Sequence, residues 1–275
     1  MPILSIVTIN KNNAEGLLKT IESVVEQTFN DFEYLIVDGE SSDLSLQTIK
    51  LFCNSSTPQF SWISEPDSGI FNAMNKGIKK SKGEYLLFLN SGDFLVNKEV
   101  LERVFCEKST EDILCGQSIV SDKGKAIYTT NTPDFFKLSN FYKSTISHQA
   151  TFIKRTLFDK FGLYKEDLKL MSDWEFWIRS IILGNASTKK LDIIISDYNL
   201  DGISSDINNK ALIEIERSRV WTDLGLKNII PDYQAWEQEQ NNMAIMYWVK
   251  SKSFIYELLL LVYRIAVKVK INKTK

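Results

Sequence analysis

Four short apolar runs, at residues 4–9, 34–37, 60–64 and 85–89, each end in a polar loop, and stretches of helical periodicity separate them. Leu17, Leu18, Ile21, Val24 and Val25 recur at helical spacing up to Gln27. A second helical stretch opens at Asp43 and carries Ile49 and Phe52; Ile70, Phe71, Met74 and Ile78 line a third, broken by Gly83. Strand and helix in alternation dictate a mostly parallel central sheet flanked by helices, with ligands beyond the strands' carboxyl ends. The chemistry is therefore expected in the loops at 10–13, 38–43, 65–69 and 90–93, which are unusually polar.

From about residue 110 the pattern becomes mixed. Short strands near 113–115 and 193–196 and a helix over 173–183 read as a second subregion packed on the same sheet. No internal repeat or Pro/Gly/Ser linker separates independent domains. With 275 residues, 44% apolar and 25% charged, the chain has the make-up of a globular enzyme, not of a disordered segment. A formal charge of -2 excludes a surface basic enough to track nucleic acid. The balance is uneven: residues 250–275 hold seven Lys/Arg and one acid, leaving 26 basic and 34 acidic residues before them.

The single histidine, His148, excludes a His-rich zinc site and leaves one base for any Ser-His-Asp chemistry. Cys53, Cys106 and Cys115 form no CxxC pair and are odd in number, which points to a reducing compartment, with the cytoplasm as the default. The opening MPILSIVTIN does not read as a signal peptide. The longest apolar run, 258–263, is well short of the ~20 residues of a membrane span.

Neither GxGxxG after the first strand nor GxxxxGK[ST] is present, so nicotinamide-dinucleotide and P-loop readings lose their support. At the end of the second run stands IVDGESSD, residues 36–43. A carboxylate at Asp38 is placed to accept from a base or ribose, with Gly39 permitting close backbone approach; Asp38 reads equally as a turn or capping acid. FLNSGD, 88–93, puts Asp93 at the rim of the sheet, where one or two carboxylates hold a cation on a diphosphate; Asn90, Ser91 and Asp93 equally make a turn. In MSDWEFWIR, 171–179, Asp173 is either an acid at a helix start or a base desolvated beside an aromatic wall of Trp174, Phe176 and Trp177 that suits sugar faces.

Taken in order, these pieces resemble the family 2 glycosyltransferases, inverting enzymes with the glycosyltransferase A fold, over roughly residues 3 to 205. SIVTINKNN resembles the opening strand and loop, IVDGESSD the nucleotide-binding element, and GIFNAMNKGIKKSKGEYLLFLNSGD the long helix-to-strand segment. HQATFIKR and SDWEFWIR resemble the acceptor-side elements. SEPDSGIFNAMNKGI is similar to a bacterial branch that builds exopolysaccharide, capsule or O-antigen repeat units. The resemblance implies that Thr8, Asn10 and Asp38 contact uracil and ribose, that Asp43 and Asn75 support the nucleotide pocket, and that Asp93 holds a divalent cation, Mn or Mg, on the diphosphate. It implies Asp173 as the base toward the acceptor hydroxyl, with Glu65, Asp67, Asn90, His148 and Trp174 lining the donor and acceptor side. Tyr198, Gly202 and Ser204 resemble the closing segment that orders a loop over the donor, beside an equally tenable structural reading.

Two positions depart from that pattern. Where D-x-D or D-x-D-D is common, this chain has Asn90, Ser91, Gly92 and Asp93, a single carboxylate; Ser172 stands where many relatives carry a Glu before the base. At the carboxyl end Phe254, Leu258, Leu261, Val262 and Ile265 lie near one face of a helix that runs into Lys268, Lys270, Lys273 and Lys275. That arrangement suits an anionic membrane surface, where a lipid-linked acceptor would be met; a packed terminal helix or a homodimer contact is the alternative.

The expectation is a catalytic domain over 1–205, with a nucleotide part to about 110 and an acceptor part over 111–205, followed by a helical basic extension over 206–275. It is a cytoplasmic enzyme, peripheral on the inner face of the membrane, that moves a sugar from a UDP-sugar to a lipid-linked saccharide in surface polysaccharide biosynthesis. A sugar-nucleotide pyrophosphorylase shares the alternating architecture, but NKNNAEG lacks the glycine-rich loop with Arg and Lys. A non-catalytic subunit of a transferase complex fits the eroded metal motif, while Asp38, Asp93 and Asp173 argue against it.

Overall fold

The computed structural model describes residues 1–55, 60–200, 202 and 207–273; of the positions read from sequence, Ser204 and Lys275 lie outside them. The elements are β1 (Leu4–Asn10), α1 (Ala14–Val25), β2 (Phe32–Asp38), α2 (Ser45–Ser55), β3 (Phe60–Ser64), α3 (Ile70–Lys80), β4 (Tyr85–Phe88), β5 (Phe94–Leu95), α4 (Val100–Phe105) and β6 (Ile113–Asp122). There follow β7 (Lys125–Thr129), α5 (Leu138–Lys143), β8 (Thr151–Lys154), α6 (Arg155–Phe161), α7 (Ser172–Trp177), β9 (Thr188–Asn199), α8 (Lys210–Asp223), α9 (Ile230–Ser251) and α10 (Ser253–Lys273). The chain forms two compact units, Met1–Val220 and Trp221–Lys275. The first therefore runs past residue 205 and takes in most of α8.

One sheet has the strand order β3-β2-β1-β4-β8-β6-β9-β5, with β7 paired to β6. The four strands of the alternating units are parallel. Beyond them β8 runs antiparallel to β4 and β6, β6 and β9 pair in parallel, and β5 closes the edge antiparallel to β9. The sheet is thus parallel where strands and helices alternate and mixed where the sequence pattern is mixed.

β1 lies between β2 and β4, and all seven of its residues are buried, the condition of a parallel strand covered on both faces. Leu17, Ile21 and Val24 of α1 pack with Leu4, Ile6, Tyr34, Ile36 and Leu87 in one cluster. Burial of each such side chain contributes about 1.5–3 kcal/mol. The chain order reverses at β1, with β2 and β3 on one side and β4 on the other. Crevices form outside such a switch point because the loops after the two flanking strands part in opposite directions.

A knot of rings fixes the far wall of that crevice. Phe158 stacks on Phe176 at 4.6 Å between centroids, and Tyr164 meets Phe158 and Phe176 at 5.4 Å each. Phe88 of β4 touches both Phe158 and Tyr164. These contacts seat α7 against the end of β4. α7 continues through a wider π-type turn over Ile178–Leu183, so the helix read over 173–183 is present with a change of pitch. In the second unit, α9 and α10 meet at Lys252, and no helix among the described residues is long and apolar enough to cross a membrane.

Candidate active site

Strand register places Asn10, Asp38 and Ser64 side by side at the carboxyl ends of β1, β2 and β3. Asp38 Oδ1 accepts from Asn10 Nδ2 at 2.8 Å and Ser41 Oγ at 2.6 Å; Oδ2 accepts from the Ser41 amide at 2.9 Å and Ser64 Oγ at 2.7 Å. Burial alone would push this carboxyl up, but hydrogen bonds from Ser41, Ser64 and Asn10 outweigh it and hold the pKa below the ordinary value. Asp38 is the buried tie between three strand ends: it makes the turn and orients Asn10, with four internal donors on its carboxylate. The Oδ1 of Asn10 is buried with no partner in the chain, an acceptor left for a ligand.

That network carries a stability consequence. In Asp38→Asn an amide nitrogen faces donors that a carboxylate accepted, so the fold loses about 1–3 kcal/mol, read from urea or thermal unfolding at pH 7. The wild-type contribution of Asp38 is present above its unfolded pKa and is lost as the pH falls through its lower folded value. The Asn variant lacks that acid dependence.

Gly39 follows at the rim. A Cβ there would lie 2.1 Å from Asp67 Oδ2, so a side chain at this position would displace the Asp67 carboxylate from the end of β2. Asp67 Oδ1 accepts from the Gly69 amide, and Glu65, exposed, pairs with Lys76 at 3.0 Å. Asp43 accepts from the Ala14 amide at 2.9 Å and the Ser45 amide at 3.0 Å, fastening the starts of α1 and α2. Burial opposes its ionisation, but hydrogen bonds from Ser45 and Ala14 prevail and hold its pKa down.

Three of the expected site residues are held within the packing. Thr8 is fully buried, and its hydroxyl is bonded to the Tyr34 hydroxyl at 2.9 Å. The Asn75 amide is spent on the segment after α6: Nδ2 donates to Tyr164 O and Glu166 Oε1, and Oδ1 accepts from the Tyr164 amide. The aromatic wall is core. Trp174, Phe176 and Trp177 are at most 1% exposed, and the Trp174 indole N–H donates to Phe141 O at 3.0 Å. Trp174 borders the cavity with no ring face presented to a sugar.

The loop after β4 turns sharply at Gly92, whose φ of 108° only glycine adopts without strain, and brings Asp93 back under the Asn90 amide at 3.2 Å. Asp93 is 6% exposed. Burial, with Asp197 adding, pushes its pKa up to about 6 against the opposing influence of His148, the Asn90 amide and the Gln149 side chain. Asn90 Nδ2 lies 3.2 Å from His148 Nε2, and the Asn90 Oδ1 is buried without a partner. With that amide orientation His148 Nε2 accepts, and its Nδ1 proton faces Asp173 Oδ2 at 3.4 Å. Asp173 Oδ1 accepts from the Trp174 amide at 2.8 Å, fixing the carboxylate at the first turn of α7.

Asn90, His148, Gln149, Asp173, Trp174 and Arg217 border one cavity of about 620 Å³. The structure thus joins Asn90, His148 and Asp173 at the border of the cavity with Asp93 buried behind Asn90, and groups Asn10, Asp38, Gly39 and Asp67 at the neighbouring strand ends. A cation on a diphosphate fits this donor set in part: Asp93 supplies one carboxylate and Asn90 Oδ1 an unspent buried oxygen, both hard donors. Among the described residues no three His, Cys, Asp or Glu side chains cluster as a metal cage, so the ligand's own oxygens must complete the shell.

Sequence reasoning missed Ser41, Ser64, Gln149, Glu216 and Arg217. Ser41 and Ser64 were within reach of register arguments, and Gln149 stands beside His148. Glu216 and Arg217 sit on a helix whose pattern announces nothing about a site.

The sequence pattern described as "Glycosyl transferase family 2" matches residues 5–168. A Mycobacterium bovis protein described as a PGL/p-HBAD biosynthesis glycosyltransferase is 29% identical over 249 residues, 89% of this chain and 95% of its own. Among solved structures, S. aureus TarS 1-349 in complex with UDP-GlcNAc is similar with a TM-score of 0.58 at 22% identity, over 71% of this chain and 58% of that one. The mannosyltransferase PcManGT from Pyrobaculum calidifontis, in complex with GDP-Man and Mn2+, is similar with a TM-score of 0.55 at 13% identity, over 72% and 56%. The match spans less than two thirds of either solved chain, and at these identities it bears on the fold alone.

Proposed function

The chain belongs to glycosyl transferase family 2 and is a glycosyltransferase, and we propose that it is an inverting one, moving a hexose-type sugar from a UDP-sugar to a lipid-linked saccharide of a bacterial surface polysaccharide. The observation that carries this reading is the contact chain Asn90–His148–Asp173, which sets a carboxylate and a diphosphate-suited turn on the two sides of one imidazole at the border of the cavity.

Asn10, held by Asp38, takes the nucleoside with its unspent Oδ1, and Gly39 lets the base or ribose approach the backbone. Asp93 and Asn90 Oδ1 would hold a divalent cation, which would supply positive charge to the leaving diphosphate. Asp173 receives the proton of the acceptor hydroxyl. That oxygen then bonds to the anomeric carbon while the bond from carbon to the diphosphate oxygen breaks on the opposite face, and UDP departs. One displacement inverts the centre, and no covalent nucleophile is needed. His148 directs its Nδ1 proton at Asp173 Oδ2 and so fixes which lone pairs of the carboxylate face the cavity.

Neighbours in fold differ in donor, TarS being in complex with UDP-GlcNAc and PcManGT with GDP-Man and Mn2+, so UDP and the divalent cation are the parts of the reading that the unfolding experiment decides. The expected domain plan is extended on one point: α8 belongs with the catalytic unit, since Glu216 and Arg217 bond to its loops. For α10, with Phe254, Leu258, Leu261, Val262 and Ile265 followed by lysines, the reading is a helix on the anionic inner face of the cytoplasmic membrane.

Thermal unfolding with UDP, GDP, dTDP, CMP and ADP, each with Mn2+, Mg2+ or a chelator, tests the donor class. A ligand that binds only the folded state raises its apparent stability by about 2.7 kcal/mol at 100 times its Kd. The expected result is a shift with UDP that the chelator removes. A shift with GDP instead would replace the donor class, and a UDP shift indifferent to chelator would remove the cation from Asp93.

A further inference from the structure

The residues just before α7 form a strap, Lys169–Met171, with no regular structure of its own, yet it must hold Asp173 still to within a fraction of an ångström. Its three successive amides all point at one carboxylate. Glu216 Oε1 accepts from the Lys169 amide at 2.7 Å, and Oε2 accepts from the Leu170 and Met171 amides at 3.0 and 3.1 Å. Glu216 is 5% exposed, and it comes from α8, outside the segment that the family pattern matches. A buried carboxylate with so many donors is an anchor, because freeing it or the buried Leu170 amide leaves a buried polar group unpaired.

The next residue along α8 completes the grip from the other side. The Arg217 guanidinium lies over the Trp174 ring, 5.1 Å from its centroid, and Arg217 also donates to Tyr142 O. Trp174 follows Asp173 directly, and its amide is the donor to Asp173 Oδ1. Two adjacent residues of one helix therefore hold the chain on both sides of Asp173. Ser172, immediately before it, contributes no such tie: its hydroxyl is buried without a partner.

We infer that Glu216 is a positioning residue for the transfer reaction, which through the amides of residues 169–171 fixes Asp173 at the attack distance from the acceptor oxygen. The inference rests on the reading of Asp173 as the base. Displacing a reacting group by about 1 Å costs on the order of 100-fold in rate, so losing this anchor acts on kcat. The nucleotide groups at the ends of β1 and β2 have no bond to the strap and keep their affinity.

The test compares wild type, Glu216→Gln, Asp173→Asn and the double variant. Turnover is read as UDP released from UDP-glucose, UDP-galactose and UDP-N-acetylglucosamine in the presence of a polyprenyl diphosphate-linked monosaccharide. UDP binding is read by thermal shift, and amide exchange is followed at 169–171. Glu216→Gln keeps one acceptor oxygen and much of the packing, so it serves where Glu216→Ala fails to fold. The expected result is faster exchange at the three amides, kcat lower by roughly 10- to 100-fold, an unchanged UDP shift, and no further loss when Glu216→Gln is added to Asp173→Asn. Wild-type kcat in Glu216→Gln with Asp173→Asn inactive overturns the positioning role alone. Loss of UDP binding in step with kcat, or an additive double variant, overturns it in favour of a general structural role. Near-normal turnover in Asp173→Asn overturns the base assignment and with it this inference.

Discussion

In Asp173→Asn, transfer falls by roughly 100- to 10,000-fold while UDP binding with cation stays at the wild-type level. The magnitude is that of a lost general base. The substitution keeps the shape and the acceptor for the Trp174 amide, so α7 keeps its first turn. It removes the atom that takes the acceptor proton, and it puts an amide where His148 Nδ1–H met a carboxylate oxygen at 3.4 Å. The groups proposed to hold UDP, at the ends of β1 and β2, bond to one another and not to Asp173, and do not change. Measured as kcat with a lipid-linked acceptor and as thermal shift with UDP, the two readouts separate chemistry from binding. Transfer near the wild-type rate would take Asp173 out of the base role and leave the acceptor proton to another group.

Asp93→Asn is expected to gain stability and lose function together. Asp93 is all but buried, its pKa is pushed up to about 6, and its ordinary value is 3.8. Ionising it in the folded protein at pH 7 therefore costs about 3 kcal/mol, as 1.36 kcal/mol corresponds to one pKa unit. Between these values the folded chain holds a proton that the unfolded chain has released. The advantage to the fold is complete below about pH 4 and is lost as the pH rises through about 6. In chelator, the neutral variant should melt higher than wild type at pH 7 and show no such fall. With UDP and Mn2+ the order reverses: wild type gains a shift, and the variant gains none and turns over no donor. A variant that melts lower without metal would mean that the hydrogen bonds to Asp93 outweigh the cost of its burial. Retained cation-dependent UDP binding would move the cation elsewhere.

The parallel half of the fold was legible because its signals are local. Four apolar runs end in Asn10, Asp38, Ser64 and the 90–93 loop, and helical stripes between them make β1 to β4 parallel, while their order β3-β2-β1-β4 is decided by the fold. The second half was read only as mixed. Thr188–Asn199 is a twelve-residue strand, but its Lys189, Lys190 and Asp192 hide it from any apolar run, since its length is set by pairing with β6.

At the site the same division holds. Sequence determined which residue types stand at the ends of which strands: Asp38, Asp93, His148 and Asp173 were all named from motifs, and the structure joins Asp93, His148 and Asp173 around Asn90. It could not say which polar groups would be spent inside the protein. Thr8 on Tyr34, Asn75 on the 164–166 segment and the ring of Trp174 under Arg217 have partners 26 to 91 residues away, which no local pattern announces. Nor could it find Glu216. Its partners are backbone amides, which every residue carries, so no residue pattern marks them; only the fold that lays α8 across the strap decides that this carboxylate, and not another, holds Asp173 in place.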